Sequence, residues 1–340
     1  MKRRLARLSL PFREPFVTSA GVVPSRELLL LRIEDDDGAV GYGEAAPFEP
    51  YDGIPLEAVA DALRRNGSAD GDAPPQARAA EEMARLDLEA RREGRPIGEP
   101  GADAIAVNRT LGGGPPDEVA RRAAEGVRDG GFACFKLKVG LPDDEERVAA
   151  VRGAIGSWPA LRIDANGAWS AEEAIDAIER LGDYDIQLVE QPCRTLEELA
   201  AVREAVRVPI AADEPVATAD DVRAAAEAGA CDVVNVKLAA SGGFEGARSA
   251  IAAARELGLE PYLSSTLDGP WGIAAALQLA ASERLSLACG LATLELFDAE
   301  LARVLPGPQK GLLPVPQGPG LGVAVDDGLL AEVLVEEIEE

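Results

Sequence analysis

The sequence predicts an α/β protein made of an N-terminal α+β capping domain and a (β/α)₈-type barrel. Two observations lead to this prediction. From residue 104 onward, short apolar runs typical of strands alternate with stretches of helical periodicity. Several of these runs end in a charged residue, at nearly equal intervals along the chain. Parallel strands joined by crossover helices place their carboxyl ends on one side, so these charged residues are expected to converge.

Residues 1–100 are expected to form the capping domain, because strand-like runs come first and helical stretches follow. Strands at 5–10, 27–33 and 40–46 precede helices at 56–65 and 75–93, with a Gly/Asp/Pro-rich connector at 67–75. The segment from Pro11 to Pro24 is read as a long loop, and long loops in compact domains are often lids. This loop, which contains Phe16, and the shorter loop that contains Tyr51 are therefore expected to close over the barrel mouth.

Residues 101–305 are expected to form the barrel. The predicted strands are 104–108, 133–138, 161–164, 186–190, 209–213, 232–237, 261–264 and about 285–289. Capping boxes that begin at Ser170 and Thr195 mark helix starts between them. A doubly wound open sheet is the alternative. Charged residues at the ends of consecutive strands favour the barrel, because an open sheet gathers its site at one switch point.

The segment after the barrel, residues 306–340, is rich in proline and glycine at first and then apolar. Val323, Val325 and Leu329 need cover from other parts of the chain, so this segment is expected to pack back on the capping domain. The chain contains no signal peptide and no apolar run of about 18 residues that could span a membrane. A cytoplasmic protein is therefore expected.

Composition excludes several classes of function. The formal net charge is −26, from 34 Lys and Arg against 60 Asp and Glu, which argues against nucleic acid or an anionic membrane as a partner. The chain has no histidine, so His-based catalysis and His-ligated zinc are excluded. The four cysteines show no CxxC spacing, which favours buried small hydrophobic residues over a zinc or redox site.

A set of charged residues at the predicted strand ends is the candidate catalytic site. Lys136 and Lys138 lie on the same face of one strand, and an edge strand with both lysines in solvent is the alternative. Positions 138, 164, 190, 213 and 237 are 26, 26, 23 and 24 residues apart, about one strand-plus-helix unit each. Three carboxylates a few ångströms apart repel one another unless a cation lies between them. Ligands that are all oxygens suit Mg²⁺, with Mn²⁺ as the alternative.

The motifs Lys-x-Lys, Asp-x-Asn, Glu-Gln-Pro, Asp-Glu-Pro and a later Lys, in this order, resemble those of the enolase superfamily and its muconate-lactonizing subgroup. The stretch Gly41-Tyr-Gly-Glu-Ala-Ala-Pro47 is similar to part of that family's capping domain. The resemblance covers nearly the whole chain and implies the enolase-like, modified form of the TIM barrel. The absence of histidine excludes the mandelate-racemase branch, which uses a His base.

The resemblance implies that Asp164, Glu190 and Asp213 bind Mg²⁺. The metal would hold a substrate carboxylate, and loss of the α-proton would give an enediolate, which is the known chemistry of this superfamily. Asn166 and Glu214 are expected to support these ligands. Glu214 is an alternative ligand to Asp213, Asn166 could instead cap the following turn, and Asp164 and Asp213 could instead cap helices.

The resemblance also implies roles for three lysines. Lys138 and Lys237 end strands on opposite sides of the mouth, so they would face opposite faces of the substrate. Lys138 is expected to remove the α-proton, while Lys237 stabilises the enediolate as a cation. Lys136 is expected to be a supporting charge rather than the main base.

Several reactions share this site within the subgroup: o-succinylbenzoate synthesis, N-acylamino-acid racemisation, dipeptide epimerisation and muconate cycloisomerisation. The eighth-strand stretch lacks the Asp-x-Asp with which dipeptide epimerases bind a substrate ammonium, and it looks like the synthase form. The expected contacts to a small carboxylate substrate are Ser264, Ser265, Gly290, Leu291 and Thr293, unless the two serines cap the next helix. A racemase or epimerase on the same site is the alternative, a non-catalytic ligand-binding barrel is a distant one, and a homo-oligomer remains open.

Overall fold

The strands fall into three sheets within residues 1–19, 21–65, 72–98, 101–324 and 326–338, which are the residues that the computed structural model describes. The strands are β1 (Lys2–Thr18), β2 (Gly21–Glu34), β3 (Val40–Ala45), β4 (Ala104–Ala106), β5 (Arg109–Leu111), β6 (Cys134–Lys138), β7 (Ala160–Asp164), β8 (Ile186–Glu190), β9 (Ile210–Ala212), β10 (Val233–Val236), β11 (Glu260–Leu263), β12 (Leu312–Pro314) and β13 (Leu334–Ile338). The helices are α1 (Glu49–Asp52), α2 (Leu56–Arg64), α3 (Pro75–Glu93), α4 (Pro116–Glu125), α5 (Asp144–Ile155), α6 (Ala171–Arg180), α7 (Leu196–Ala205), α8 (Ala219–Glu227), α9 (Phe244–Glu256), α10 (Pro270–Glu283) and α11 (Asp327–Val333).

The N-terminal sheet is antiparallel, in the order β13-β1-β2-β3. The loop predicted from Pro11 to Pro24 is wrong, because most of this segment is the far end of a long β1–β2 hairpin. Phe16 pairs with Val23 across it, and a register shift between Pro11 and Phe16 accommodates the irregular stretch. A proline-containing segment reads as a loop in sequence, yet its apolar residues here have cross-strand partners. Ala20 lies outside the described residues.

The C-terminal segment contacts the N-terminal sheet. β13 pairs antiparallel with β1, and the backbone N–H of Leu321 donates to Asp87 Oδ1 at 2.7 Å. Val323 is buried, and the guanidinium of Arg91 donates to its carbonyl oxygen at 3.0 Å. Val325 and residues 66–71 of the predicted connector lie outside the described residues. The stretch from Leu321 onward thus contacts the N-terminal sheet and α3, while Leu312–Pro314 pairs with β4, and the domain boundaries stay a prediction.

A curled parallel sheet of seven strands, in the order β11-β10-β9-β8-β7-β6-β5, forms the barrel wall. The predicted barrel strand at 104–108 is right only in part, because Ala104–Ala106 pairs antiparallel with β12 as β4, while Val107 and Asn108 bond to Cys289 in the barrel and the continuous wall begins at β5. The predicted strand at 285–289 is reduced to single bridges, from Cys289 to Val107 and from Gly290 to Ser264. Gly290 permits this approach, since a Cβ there would lie 2.7 Å from that of Ser264.

Local signals in the sequence fix several helix starts. The capping boxes at Ser170 and Thr195 are both formed, and Thr218 with Asp221 makes a third. All four cysteines are free and buried, and burial raises the pKa of the Cys231 and Cys289 thiols to about 11. They pack as small hydrophobic residues, as the composition predicts. Among the described residues, every helix is too short or too polar to cross a membrane.

Gly41 and Gly43 in strand β3 let helix α3 pack tightly against the strand. A Cβ at Gly43 would lie 1.9 Å from the carbonyl oxygen of Ala80. We expect Gly43→Ala to lower the free energy of unfolding by about 1–3 kcal/mol, because the backbone of α3 must shift. Gly153 is the control: it lies in helix α5 with nothing within 4 Å of its Cβ position, so alanine should add about 0.5–1 kcal/mol. Urea unfolding followed by circular dichroism measures both, and equal effects would contradict this packing.

Buried charges join the capping domain to the barrel. Glu44 Oε1 accepts the backbone N–H of Gly269 at 2.6 Å, at the start of α10. Burial and the nearby carboxylate of Asp268 raise the pKa of Glu44 to about 8. Arg26 lies in the same interface, donates to the carbonyl oxygen of Ala46 at 3.0 Å, and has its pKa lowered to about 10 by burial. This cluster holds the chain that leads from β3 to the barrel mouth.

The raised pKa of Glu44 predicts a pH dependence of stability. Between an ordinary value of 4.5 and about 8, the folded state binds a proton that the unfolded state has released. The free energy of unfolding should therefore fall as pH rises through this range, with a limiting slope of about 1.4 kcal/mol per pH unit. Glu44→Gln should flatten this part of the curve. Urea unfolding at pH 5, 6, 7 and 8 tests it, and parallel curves for the two proteins would refute the assignment.

Candidate active site

A cavity of about 620 Å³ opens at the carboxyl ends of the barrel strands. We call it the mouth cavity. The hairpin and the chain after β3 form one wall, through Phe16, Phe48 and Tyr51. The barrel side carries most of the candidate residues from the sequence, namely Lys136, Lys138, Asn166, Asp213, Glu214, Lys237, Ser264, Ser265, Gly290 and Thr293.

The barrel places the predicted charged residues where the strand pattern puts them. Lys138, Asp164 and Glu190 are the last residues of β6, β7 and β8. Asp213 and Lys237 directly follow β9 and β10. Neighbouring strands are in parallel register, with Lys138 beside Asp164 and Asp164 beside Glu190. The side chains therefore meet at one end of the barrel.

These charges neutralise one another in buried ion pairs. Lys136 Nζ lies 2.9 Å from Asp164 Oδ2 and 2.9 Å from Glu190 Oε1. Lys138 Nζ lies 2.6 Å from the same oxygen of Asp164, and Lys237 pairs with Asp213. Because an unpaired buried charge is costly, each carboxylate needs a cationic partner here. The alternative of lysines in solvent on an edge strand is wrong, since Lys136 and Lys138 are both buried.

The pKa shifts record this mutual stabilisation. Burial alone would lower the pKa of Lys136, but the charges of Asp164 and Glu190 outweigh it and raise that pKa. Burial alone would raise the pKa of Asp164, but Lys136 and Lys138 hold it below its usual range. Burial and repulsion by Asp164 raise the pKa of Glu190 despite the pairing with Lys136. Both oxygens of Glu190 nevertheless accept hydrogen bonds from Lys136 Nζ, at 2.9 and 3.0 Å.

The donor chemistry of this site fits a hard divalent cation. Asp164, Glu190 and Asp213 offer only oxygen ligands, and burial and repulsion by Asp164 and Asp213 contribute to the raised pKa of Glu190. Within the described chain, no three His, Cys, Asp or Glu side chains lie close enough together to hold a metal as they stand, and lysine ammonium groups occupy the space between them. Binding of Mg²⁺ by these three carboxylates remains a proposal.

Asn166 and Glu214 lie beside the charged centre. Asn166 accepts from Lys138 Nζ at 2.6 Å and donates to Glu214 Oε1 at 3.0 Å. Burial and the charges of Asp213 and Asp164 raise the pKa of Glu214 to about 8, and its Oε2 is buried without a partner. Asn166 adopts a positive φ of 47°, a conformation that asparagine tolerates better than most residues. This arrangement links the lysine of β6 to the second acidic residue after β9.

Two residues that the sequence analysis missed fix the orientation of Glu190. Asn235 Nδ2 donates to Oε1 at 2.9 Å and the hydroxyl of Tyr262 donates to Oε2 at 2.6 Å. Both side chains are fully buried. Asn235 could have been found, because it stands two residues before Lys237 and therefore points to the same face of β10. Tyr262 gives no comparable signal, since an aromatic residue in a strand usually packs in the core.

Tyr51 brings the capping domain into direct contact with the barrel charges. Its hydroxyl donates to Asp213 Oδ1 at 3.0 Å and accepts from Lys237 Nζ at 2.8 Å. The Lys237 ammonium also lies 4.5 Å from the centre of the Tyr51 ring. Burial and the charge of Asp213 raise the pKa of Tyr51 well above its ordinary value. Tyr51 therefore stays a neutral phenol at this position, while closure of the hairpin and this segment over the mouth stays a prediction.

The predicted substrate contacts divide between two places. Ser265 and Thr293 share a hydroxyl hydrogen bond of 2.8 Å, and the hydroxyl of Ser264 is buried without a partner. The alternative that the two serines cap the next helix is wrong, because Gly269 precedes α10. Leu291 does not line the mouth cavity: it follows Gly290 in an extended stretch, where side chains alternate, and it lines a second cavity instead.

A cavity at the carboxyl ends of barrel strands, with a capping domain as one wall, is the arrangement of enolase-type barrel enzymes. Residues 118–329 match the model of the enolase C-terminal domain-like family. An o-succinylbenzoate synthase of Thermobifida fusca is 36% identical over 331 residues, with 96% of this chain and 91% of the relative covered. An L-Ala-D/L-Glu epimerase of Bacillus subtilis is 32% identical over 308 residues, covering 82% and 84%.

Solved structures agree with these relatives. A dipeptide epimerase of Enterococcus faecalis, complexed with Mg and the dipeptide L-Leu-L-Tyr, superposes with a TM-score of 0.88 at 29% identity. The superposition covers 95% of this chain and 99% of the epimerase. This chain belongs to the enolase superfamily, as the resemblance of its motifs predicts. Synthases and epimerases are similarly close to it, so the family is established more firmly than the reaction.

The contacts of Glu190 generate a prediction about metal binding. Partners that orient a ligand typically change metal affinity by about 10- to 100-fold when removed. We expect Tyr262→Phe to weaken Mg²⁺ binding by about tenfold and Asp213→Asn to abolish it, with the fold retained. Titration calorimetry with Mg²⁺ measures this directly, and Tyr184→Phe, a tyrosine in a turn before β8, is the matched control. Unchanged affinity in Asp213→Asn would refute the proposed ligand set.

Proposed function

We propose that this protein is an o-succinylbenzoate synthase. It would catalyse the Mg²⁺-dependent syn-dehydration of 2-succinyl-6-hydroxy-2,4-cyclohexadiene-1-carboxylate, a step of menaquinone synthesis. The observation that carries the proposal is the neutral, hydroxyl-lined part of the mouth cavity. Ser264, Ser265 and Thr293 offer hydrogen bonds there, and Gly290 leaves room. The 36% identity to a synthase over 96% of this chain supports the same reaction.

The residues of the chain can carry both proton transfers of this reaction. The ε-amino group of Lys138 takes the α-proton from the ring carbon that bears the carboxylate, and becomes an ammonium. The resulting enediolate expels the hydroxyl as its C–O bond breaks, and Lys138 returns the proton to that oxygen on the same face, so water leaves and the ring becomes aromatic. Lys237 remains a cation and stabilises the enediolate. Asn166 positions Lys138 through the 2.6 Å hydrogen bond.

A bound Mg²⁺ would neutralise the negative charge that develops on the substrate carboxylate. Within the chain, Asp164, Glu190 and Asp213 would hold the ion. Phe16 and Tyr51 from the capping domain line the mouth, where they help to exclude water from an intermediate that water could protonate. Lys136, paired with Asp164 and Glu190, supplies fixed positive charge rather than a proton.

N-succinylamino-acid racemisation is the second candidate. The observation in its favour is that Lys138 and Lys237 both line the cavity, as a two-base reaction requires. Dipeptide epimerisation is less favoured, because the stretch from Cys289 to Phe297 has no Asp-x-Asp pair for a substrate ammonium. A non-catalytic ligand-binding barrel is the distant alternative, and it predicts no exchange of the substrate α-proton with solvent.

The two lysines distinguish the synthase from the racemase. In a one-base dehydration, Lys138→Ala should abolish both α-proton exchange and dehydration. Lys237→Arg keeps a cation and should retain part of the dehydration. In a two-base racemase, Lys237→Arg should abolish racemisation, because a guanidinium cannot act as a base near neutral pH, yet leave exchange of the enantiomer that Lys138 deprotonates.

The measurements are dehydration of the cyclohexadiene substrate and deuterium incorporation into each enantiomer of an N-succinylamino acid. Lys2→Ala, at an exposed lysine, is the control. A wild-type protein that racemises efficiently and never dehydrates the cyclohexadiene would overturn the synthase proposal in favour of the racemase. A wild-type protein that exchanges no α-proton with Mg²⁺ present would overturn both.

A further inference from the structure

A second cavity, of about 640 Å³, lies outside the barrel wall. We call it the arginine cavity. It is bounded by the hairpin around Arg13, by α4, and by the chain after Gly290, which forms short turns at Leu294–Leu296 and Glu300–Arg303. Its volume lies within the range of about 300–1,000 Å³ that is usual for small-molecule sites. Phe16 and Thr110 line both this cavity and the mouth cavity, so the two are neighbours.

The floor of the arginine cavity is apolar. Leu294 and Leu296 line it and are only partly buried, and Leu305 and Leu313 contribute a small accessible area beside them. Such a floor favours a ligand with an apolar body, because burial of apolar surface is favourable by about 25 cal/mol per Å². A small inorganic ion would leave this surface unused.

The rim is positively charged, in a chain that is strongly acidic. Five arginines line the cavity against three glutamates, although Asp and Glu outnumber Lys and Arg by 60 to 34 in the whole chain. Three of the five arginines already have carboxylate partners. Those pairs are Arg121 with Glu125, Arg122 with Glu14, and Arg303 with Glu300.

Arg13 and Arg109 differ from the other three. Neither forms an ion pair with any residue that the structure describes. Arg13 Nε donates to the carbonyl oxygen of Phe297 at 3.1 Å, which fixes its side chain and leaves the other guanidinium nitrogens available. Arg109 lies 5.7 Å from the centre of the Phe132 ring, and such stacking holds a guanidinium without using its N–H donors. Both cations are therefore preorganised, and their N–H donors stay available, although the charge of Glu295 acts on both of them and that of Asp129 acts on Arg109.

We infer that the arginine cavity binds an organic anion, namely a carboxylate carried on an aromatic or aliphatic body. The anionic group would pair with Arg13 and Arg109, since a guanidinium matches a carboxylate in a bidentate manner. The apolar body would lie on Leu294 and Leu296. Glu295 also lines the cavity, and its negative charge would oppose such a ligand. This inference does not depend on the proposed reaction.

The test uses titration calorimetry on the full chain with 4-phenylbutyrate, its neutral amide 4-phenylbutyramide, and inorganic phosphate. We expect 4-phenylbutyrate to bind with a Kd of about 1 mM or tighter, and the amide and phosphate to bind at least tenfold more weakly. Arg109→Gln and Arg13→Gln should each weaken 4-phenylbutyrate binding by about tenfold, and Glu295→Gln should strengthen it by about threefold, because like charges repel. Arg13 and Glu295 are exposed, so Arg13→Gln and Glu295→Gln are expected to fold even if Arg109→Gln does not.

Two controls separate this site from the alternatives. Arg207→Gln removes the same charge at an exposed position before β9 and should leave the Kd within about twofold, since surface charges at a distance are screened. Lys138→Ala tests whether the probe enters the mouth cavity, and it should leave the Kd unchanged. Binding that is lost in Lys138→Ala but kept in Arg13→Gln would overturn the inference. So would undetectable binding of 4-phenylbutyrate, or binding of phosphate as tight as that of 4-phenylbutyrate.

Discussion

The burial of three carboxylates and three lysines at one end of the barrel constrains the rest of the structure. Asp164, Glu190 and Asp213 are almost completely buried, and so are their lysine partners. Removing one member of such a set leaves an uncompensated buried charge, which typically costs about 3–5 kcal/mol. The groups that would perform the chemistry are therefore also groups on which the integrity of the barrel depends. The pairing of buried charges, as well as apolar packing, therefore determines how the carboxyl ends of the barrel strands are arranged.

The capping domain contributes hydrogen bonds to the buried charges in addition to covering the mouth cavity. Tyr51 hydrogen bonds to both Asp213 and Lys237, and Glu44 connects β3 to the start of α10. The two domains thus share polar contacts at the mouth and at their interface. A shift of the capping domain would change the surroundings of Lys237 as well as access to the cavity. This connection between domains gives residues far from the reacting atoms a physical route to influence them.

Much of the site could be predicted because parallel strands impose a strict order on their carboxyl ends. The spacing of charged residues from Lys138 to Lys237 located the wall strands and the mouth. Tyr262 could not be predicted, because its hydroxyl in β11 reaches Glu190 in β8 only after the sheet has curled into a barrel. The hairpin was misread because proline and polar residues in one strand hide the pairing of Phe16 with Val23. Leu291 was misplaced because the eighth strand is too short to establish an alternation in the sequence.

The barrel is closed at Cys289 and Gly290 by single bridges and a few backbone hydrogen bonds, rather than by a full strand ladder. This seam lies between two parts of the mouth that carry different side chains. On one side, the wall from β6 to β10 carries the lysines and carboxylates and is held by continuous pairing. On the other side, Ser264, Gly290 and Thr293 straddle the seam. A substitution at one of these three positions would change the lining of the cavity without altering the strand ladder that carries the charged wall. The part of the cavity that could differ between substrates is thus separate from the part that holds the buried ion pairs.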